Sequence, residues 1–332
     1  MSDKMTFGTF GRYTEIPVDQ MPPEQRESDI SLKFTAGDLT IHRLIEEETT
    51  FLPVHDLFAG LTPELLAENR QWLRDSGAID ATDTLILCFQ SYVVRTPHYT
   101  ILIDSCLGND KPRPQRPKWN QKTDDTYMRA LKAAGFAVED IDFVMCTHLH
   151  VDHVGWNTRL EGGRWVPTFP KARYVFSKAE YNYWAEQHAK AEVPQFGDSV
   201  LPVVEARRAD IVRDDFAIGD HLRILPTPGH TPGHVAFAAG RGKDDAVFCG
   251  DIMHSPLQTR YPELSPNFDV DPALAAKTRR DFMERYCDTD TLCCTAHFPS
   301  PSTGKIRRRG NGFSCEAASQ KRGREGQKRP LT

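Results

Sequence analysis

The chain has no apolar run of about 18 residues, so no transmembrane helix is expected. Its opening stretch, MSDKMTFGTFGRYTEIPVDQ, lacks the apolar core of a secretory signal. No C-x-x-C pair occurs among the eight cysteines, which argues against a zinc ribbon. Several of these cysteines sit inside apolar stretches (LILCF, FVMCT, VFCGD, TLCCTA), as reduced and buried thiols do, rather than in a disulfide framework. Charge of one sign is not in excess either. A formal net charge of -5 over 332 residues marks no binder of nucleic acid or membrane surface as a whole. These absences lead to the expectation of a reduced, cytoplasmic protein with no membrane partner. Its length suits one large domain or two modest ones.

What is present is an alternation of strands and helices. LTIHRLIEEETTFLPV (39–54) reads as strand material. A helix follows, with Thr62 as N-cap, Pro63 at the first helical position and Gly77 as its stop. TLILCFQSYVV (84–94) and YTILIDS (99–105) read as paired strands. DKPRPQRPKWNQ (110–121) has three prolines and four Lys/Arg, and reads as a loop. A helix is expected over 124–134 and a short buried strand over 141–147. Further on, ARYVFS is a strand, and Ser177-x-x-Glu180 reads as a capping box opening a helix to about Lys190. Strands follow at 222–227, 234–239, 246–250 and 291–296, with a helix from Asp271-Pro272 to about Tyr286. This order fits an α/β (α+β) chain of two sheets packed together with helices outside. From about residue 305 the composition turns basic, with nine Lys/Arg against two Glu. The expected organisation is an N-terminal arm at 1–33, a domain at 34–312 and a basic, disordered tail at 313–332.

Histidine is scarce, 12 in the chain, yet THLHVDHVGW (147–156) holds three of them and an aspartate: His148, His150, Asp152 and His153. On an extended strand His148 and His150 point the same way, because side chains alternate with period two. Two imidazoles on one face at a strand end can share a metal. Asp152 and His153 follow where the chain turns away. Three other strand ends carry similar groups. TPGHTPGHVAF places His234 at a strand start, VFCGD ends on Asp251 and TLCCTAH ends on His297. Five histidines and two aspartates suit two metals, each with about three protein ligands and an open position for water. A ligand set without thiolate suits zinc, and would also take Mn, Fe or Co.

The succession H-x-H-x-D-H, P-G-H-T-P-G-H, strand-end G-D and late A-H resembles the metallo-β-lactamase-fold hydrolase superfamily. The resemblance implies a four-layer αββα sandwich of two mixed sheets. It implies that His148, His150 and His234 hold one metal, that Asp152, His153 and His297 hold the other, and that Asp251 bridges them. His230 is then expected to support the loop. TILIDSCLGND is similar to the superfamily's strand-Asp-loop, with Asp104 behind the ligands. FPKARYVFSKAEYNYW and GDIMH look like the methyl parathion hydrolase and lactonase-like group. His254 stands where many acyl-homoserine lactonases carry a tyrosine. The implied chemistry is a bridging hydroxide that attacks an ester or lactone carbonyl, with a phosphotriester as a further option. Asp152 would orient it and shuttle its proton, and His254 is a candidate donor to the leaving group or oxyanion. Trp119, Trp156, Trp165, Tyr181 and Trp184 are candidates for an apolar substrate pocket. The partner is a small ester or lactone, and a homodimer is implied by the relatives. Two alternatives are an iron-dependent sulfur dioxygenase-type enzyme and a nucleic-acid-processing hydrolase, the latter supported only by the basic tail.

Overall fold

The computed structural model describes residues 31–317. Its first ten strands are β1 (Ser31–Ala36), β2 (Leu39–Pro53), β3 (Phe58–Ala59), β4 (Thr84–Arg95), β5 (Thr100–Ile103), β6 (Phe143–Met145), β7 (Thr158–Glu161), β8 (Arg164–Pro167), β9 (Arg173–Ser177) and β10 (Ala209–Val212). Eight more follow: β11 (Ala217–Ile218), β12 (Leu222–Pro226), β13 (Val235–Ala239), β14 (Ala246–Phe248), β15 (Ser265–Pro266), β16 (Leu292–Cys294), β17 (Thr303–Arg309) and β18 (Gly312–Ala317). One seven-stranded sheet has the order β1-β2-β4-β5-β6-β9-β10 and the other β11-β12-β13-β14-β16-β17-β18. Both are mixed: β5/β6, β6/β9, β9/β10 and β14/β16 are parallel, and the other pairs in the two sheets are antiparallel.

Alternation along the strands explains the layers. Tyr92, Val94, Ile101 and Ile103 of the first sheet meet Ile224, Phe237, Phe248 and Cys294 of the second in a shared inner core. Val93 and Leu102 point the other way, onto Tyr127, Ala130 and Leu131 of the helix Thr126–Ala133. On the far side, Ala236, Val247 and Cys293 pack on Phe282, Met283 and Tyr286 of a C-terminal helix. Sheets covered on both faces need near-continuous apolar strands, which is why VAFAA is buried at every position. The helices of eight residues or more are α1 (Pro63–Asp75), α2 (Thr126–Ala133), α3 (Lys178–Lys190) and α4 (Pro272–Tyr286). Thr62 and Asp271 cap α1 and α4 as expected: Thr62 Oγ1 accepts from Leu65 N at 3.2 Å, and Asp271 Oδ1 from Leu274 N at 3.0 Å. The fold is the expected αββα sandwich.

Three expectations change. Of the arm at 1–33, residues 1–30 lie outside the described residues, while 31–33 belong to β1, paired with β2. The tail expected from 313 does not begin there. β17 and β18 form a hairpin on the edge of the second sheet, with Ile306 and Phe313 buried in the outer core. Charge-dense RRR hid the alternation, because an edge strand exposes one face and its end. Residues 318–332 lie outside the described residues. Third, the Ser177 side chain makes no capping bond to α3, and its Oγ is buried without a partner. All eight cysteines are free thiols, six of them buried. No helix among the described residues is long and apolar enough to cross a membrane.

Candidate metal centre

The histidine cluster forms where strand ends from both sheets meet. β6 lies between β5 and β9, and the chain leaves it at Thr147 to give His148 to His153. Asp104, just past β5, is held in the left-handed region at φ 57°. Its carboxylate accepts from Thr147 N at 2.7 Å, from Thr147 Oγ1 at 2.9 Å and from His153 Nδ1 at 2.9 Å. Asp104 thus fixes the turn and one ring at once, as expected of a residue behind the ligands. β14 delivers Asp251 through Gly250, whose φ is 52°. A Cβ on Gly250 would lie 2.6 Å from His234 Nε2 and 2.8 Å from Thr147 Cβ, so only glycine fits there. β16 delivers His297 three residues after its end.

Two groups of ligand atoms converge. His148 Nε2, His150 Nδ1, His230 Nε2 and Asp251 Oδ2 form the first: His150 Nδ1 is 3.0 Å from His148 Nε2 and 2.9 Å from His230 Nε2. Asp152, His153 and His297 form the second, with Asp152 Oδ2 3.8 Å from His153 Nε2 and 3.6 Å from His297 Nε2. Asp251 stands between them. Its Oδ1 is 3.1 Å from His153 Nε2 and 3.0 Å from His297 Nε2. Its Oδ2 is 3.2 Å from His230 Nε2 and 3.5 Å from His148 Nε2.

Backing groups set the direction of the lone pairs. His153 Nδ1 donates to Asp104, His297 Nδ1 to the Cys88 carbonyl at 3.0 Å and His230 Nδ1 to Asp269 at 2.8 Å. A carboxylate or carbonyl can only accept, so each Nδ1 carries its proton. In the neutral rings the three Nε2 lone pairs then face Asp251, itself an acceptor. Such a facing set calls for positive charge at its centre, supplied by protons on the rings or by a bound cation. His153 Nε2 and Asp251 Oδ1 are buried and have no hydrogen-bond partner. Buried polar atoms are otherwise almost always paired, so this donor set fits divalent metal ions.

The protein charges alone pull the cluster apart electrostatically. Burial, then the neighbouring imidazoles, hold His148 and His150 well below the usual histidine range. Burial also opposes charge on His153 and His230, but nearby carboxylates outweigh it, raising His153 well above that range and His230 to about 9. Burial raises Asp251, yet the surrounding imidazoles carry it well below the carboxylate range. Such opposed shifts mark a functional centre.

His234, expected as a ligand, lies outside the converging groups. His234 faces Thr227 Oγ1 with Nδ1, at 2.8 Å, and its Nε2 accepts from the Asp251 backbone N–H at 3.0 Å. Both ring nitrogens are therefore occupied by the protein, and burial holds the ring neutral, with a pKa of about 3. His230, expected to support the loop, takes the place beside His148 and His150. The P-G-H-T-P-G-H turn folds back so that its first histidine enters the cluster, while the second pins the Asp251 backbone. His254 is also brought in: its Nε2 is 3.1 Å from Asp251 Oδ2, and its ring stacks on His297 at 5.3 Å and 10°.

Glu180, expected in a capping box, does something else. Its Oε1 accepts from Leu149 N at 3.0 Å and Trp184 Nε1 at 2.6 Å. Its Oε2 accepts from Thr231 Oγ1 at 2.6 Å and Gly233 N at 3.2 Å. One buried carboxylate therefore ties the His148/His150 segment to the His230 turn. The two approach so closely that a Cβ on Gly233 would fall 2.0 Å from Glu180 N. Asp269, between His230 and Arg279, was missed as well. Local sequence carries no signal for either residue beyond a buried acid.

Above the cluster opens a cavity of about 510 Å³, with His150, Asp152, Asp251, His254 and His297 in its floor. Phe51, Leu87, Phe89, Trp119, Val151 and Phe268 supply apolar walls, and residues 112–116 with Glu192, Pro194 and Gln195 supply the mouth. Of the aromatic candidates only Trp119 lines it. Trp156 stacks on Tyr127 at 5.4 Å, Trp165 lies under Lys111, Tyr181 packs on Phe196, and Trp184 meets the His150 ring from behind. The wall segment is clamped from outside. Arg113 makes two bonds to Asp198, at 2.6 and 3.0 Å, while buried Lys111 donates to Thr158 Oγ1 at 2.6 Å and to the Asp198 carbonyl at 3.2 Å.

The family model of the Metallo-beta-lactamase superfamily matches residues 90–297. An N-acyl homoserine lactonase from Bacillus sp is 31% identical over 118 residues, 36% of this chain and 40% of that protein. Another, from Bacillus cereus, is 27% identical over 167 residues, 49% of this chain and 58% of that protein. The chain thus spans about half the length of these curated relatives. Two solved structures are similar over most of their length. The hydrolase AbOPH in the beta lactamase superfamily has a TM-score of 0.74 at 24% identity, covering 87% of this chain and 98% of that one. AidC, a dizinc quorum-quenching lactonase in complex with a product N-hexnoyl-L-homoserine, has a TM-score of 0.69 at 22% identity, covering 88% and 99%. At these identities the structural likeness shows the fold. With the family model running from β4 to the last histidine of the cluster, the chain belongs to the metallo-beta-lactamase superfamily.

Proposed function

We propose that the chain is a dinuclear metal-dependent hydrolase acting on an ester or lactone carbonyl. The observation that carries this reading is the Asp251 carboxylate, which turns one oxygen to each group of histidines. In this reading His148, His150 and His230 hold one divalent ion. Asp152, His153 and His297 hold the other, and Asp251 serves both. Bound metals would make water nucleophilic near neutral pH and polarise the carbonyl. Zinc suits the nitrogen and oxygen donors.

The chain's own residues do the rest. Asp152, at the edge of the floor, accepts the proton that water loses as its oxygen bonds to the carbonyl carbon. It returns that proton to the leaving alkoxide when the C–O bond breaks. His254, buried beside Asp251 and facing the cavity, is placed to hydrogen-bond the developing oxyanion or the leaving oxygen. The apolar walls exclude water and favour an ester with an apolar part. The lactonase names among the relatives agree with that substrate class.

The test is metal analysis of the purified chain together with a panel of lactones, aryl esters, phosphotriesters and β-lactams. Two bound metals and hydrolysis of the esters or lactones are expected. His230→Ala should lose at least one metal and lower kcat by 100-fold or more, about 3 kcal/mol, while His234→Ala keeps more of its metal. A wild-type chain that binds no metal, or a His230→Ala variant with full metal content, refutes the reading.

A further inference from the structure

We propose that the cavity takes esters whose apolar arm ends in an anionic group, read by Arg116 at the mouth. This rests on the reading of the floor as an ester-hydrolysing centre. The ladder of rings points the way. His297 meets Phe89 edge-on at 5.5 Å between centroids, Phe89 meets Trp119 at 5.1 Å, and Trp119 stacks on Phe51 at 6.2 Å and 21°. The ladder ends on a cation: Arg116 Cζ lies 4.9 Å from the Trp119 ring centre and 5.8 Å from that of Phe51. An arm that starts at the floor and follows these faces therefore meets a guanidinium at its far end.

Arg116 is exposed, and among the described residues no carboxylate lies within ion-pair distance of it. A guanidinium spread over aromatic faces keeps its N–H edge for an acceptor, and its planar fork suits a carboxylate. The surroundings add to its charge. Residues 110–121 carry Lys111, Arg113, Arg116 and Lys118 against Asp110. Arg113 is paired with Asp198 at 2.6 Å and buried Lys111 lies 3.7 Å from the same carboxylate, so Arg116 and Lys118 are the exposed cations of this wall. Glu192 is the acidic side chain at the same mouth, and an arm ending in a cation would turn to it instead. The charged side chains lining the mouth are Arg113 (paired with Asp198), Arg116 and Glu192, and the ring ladder ends on Arg116, which favours the anion.

The test compares two aryl esters of equal length on the metal-loaded chain: phenyl octanoate, and the monophenyl ester of suberic acid, which ends in a carboxylate. The wild-type chain should show a KM roughly 5- to 10-fold lower for the carboxylated ester, the scale of a charged hydrogen bond at a half-open site. Raising the ionic strength should shrink that ratio. Arg116→Gln should bring the ratio close to one, and Arg116→Lys should restore most of it. Calorimetric binding of the matching anilides should give the same ranking without turnover. Equal KM values for the two esters in the wild-type chain would overturn the proposal and leave the hydrolase reading standing. So would a preference for an amine-ended ester that Glu192→Gln abolishes. Failure to cleave either ester, or any other member of the panel, counts against the hydrolase reading itself.

Discussion

The floor and the wall of the cavity are held by different means. In the floor, three buried imidazoles have a backing acceptor on one ring nitrogen and face the centre with the other, and the backing groups lie far apart in the chain: Cys88 O within the first sheet, Asp104 beside it and Asp269 near α4. In the wall, a proline-rich segment without regular structure is held at one end by two cations on a single carboxylate. The floor is therefore rigid because many independent bonds agree. The wall segment closes on itself through turn hydrogen bonds and has one buried ion cluster at its start, so its surface can change without disturbing the histidine cluster.

Three changes probe that contrast. The largest effect on the site is expected for Glu180→Gln, which strikes the floor. A carboxylate accepts all four bonds at this position, whereas an amide presents a donor to at least one N–H or O–H. The His148/His150 segment and the His230 turn then lose their common brace. Metal affinity should fall roughly 10- to 100-fold, as for other groups that orient ligands, measured by competition with a chelator. Unchanged affinity would mean that the brace is not needed. Asp198→Asn strikes the wall. It leaves Lys111 and Arg113 buried without a counter-charge, so the segment loosens. Re-ordering each side chain on binding costs about 0.5–1.5 kcal/mol, and KM should rise roughly 3- to 10-fold with metal content retained. Loss of metal in this variant would merge the two regions into one unit.

The change with the smallest effect on the site acts on stability and sharpens the picture of the wall. Burial, partly offset by Asp198, lowers the Lys111 pKa to about 7 from its ordinary 10.5. The unfolded chain then binds more protons between those values. The contribution of Lys111 to stability therefore rises with pH from about 7 to 10.5 and is lost as pH falls through 7. Lys111→Met removes this dependence. The slope of unfolding free energy against pH should drop by up to about 1.4 kcal/mol per pH unit in that window, read from denaturant melts. An unchanged slope would show that the lysine stays charged in the fold.

Secondary structure and the candidate ligands were legible to different depths. The caps at Thr62 and Asp271, the buried strands and the H-x-H-x-D-H run all follow from local rules, and the structure has them where the sequence puts them. The β17/β18 hairpin was not legible, because its three arginines read as solvated tail. Ser177 and Glu180 had the spacing of a capping box, yet the acid serves a turn 51 residues away. A short-range pattern of this kind is outcompeted when a buried carboxylate meets several N–H donors at long range.

The sequence by itself determined that strands from both halves end in histidine or aspartate. Strand period and turn residues are local properties, and they fix which side chains reach a strand's end. Only the tertiary structure brings His230, rather than His234, into the converging group. The choice depends on which ring finds both nitrogens occupied by Thr227 and the Asp251 backbone, and which has one left facing the centre. The same holds for the loop at 110–121. Its sequence predicts an irregular segment, and only packing against Asp198 and Trp119 makes it the cationic end of a cavity above the metal ligands.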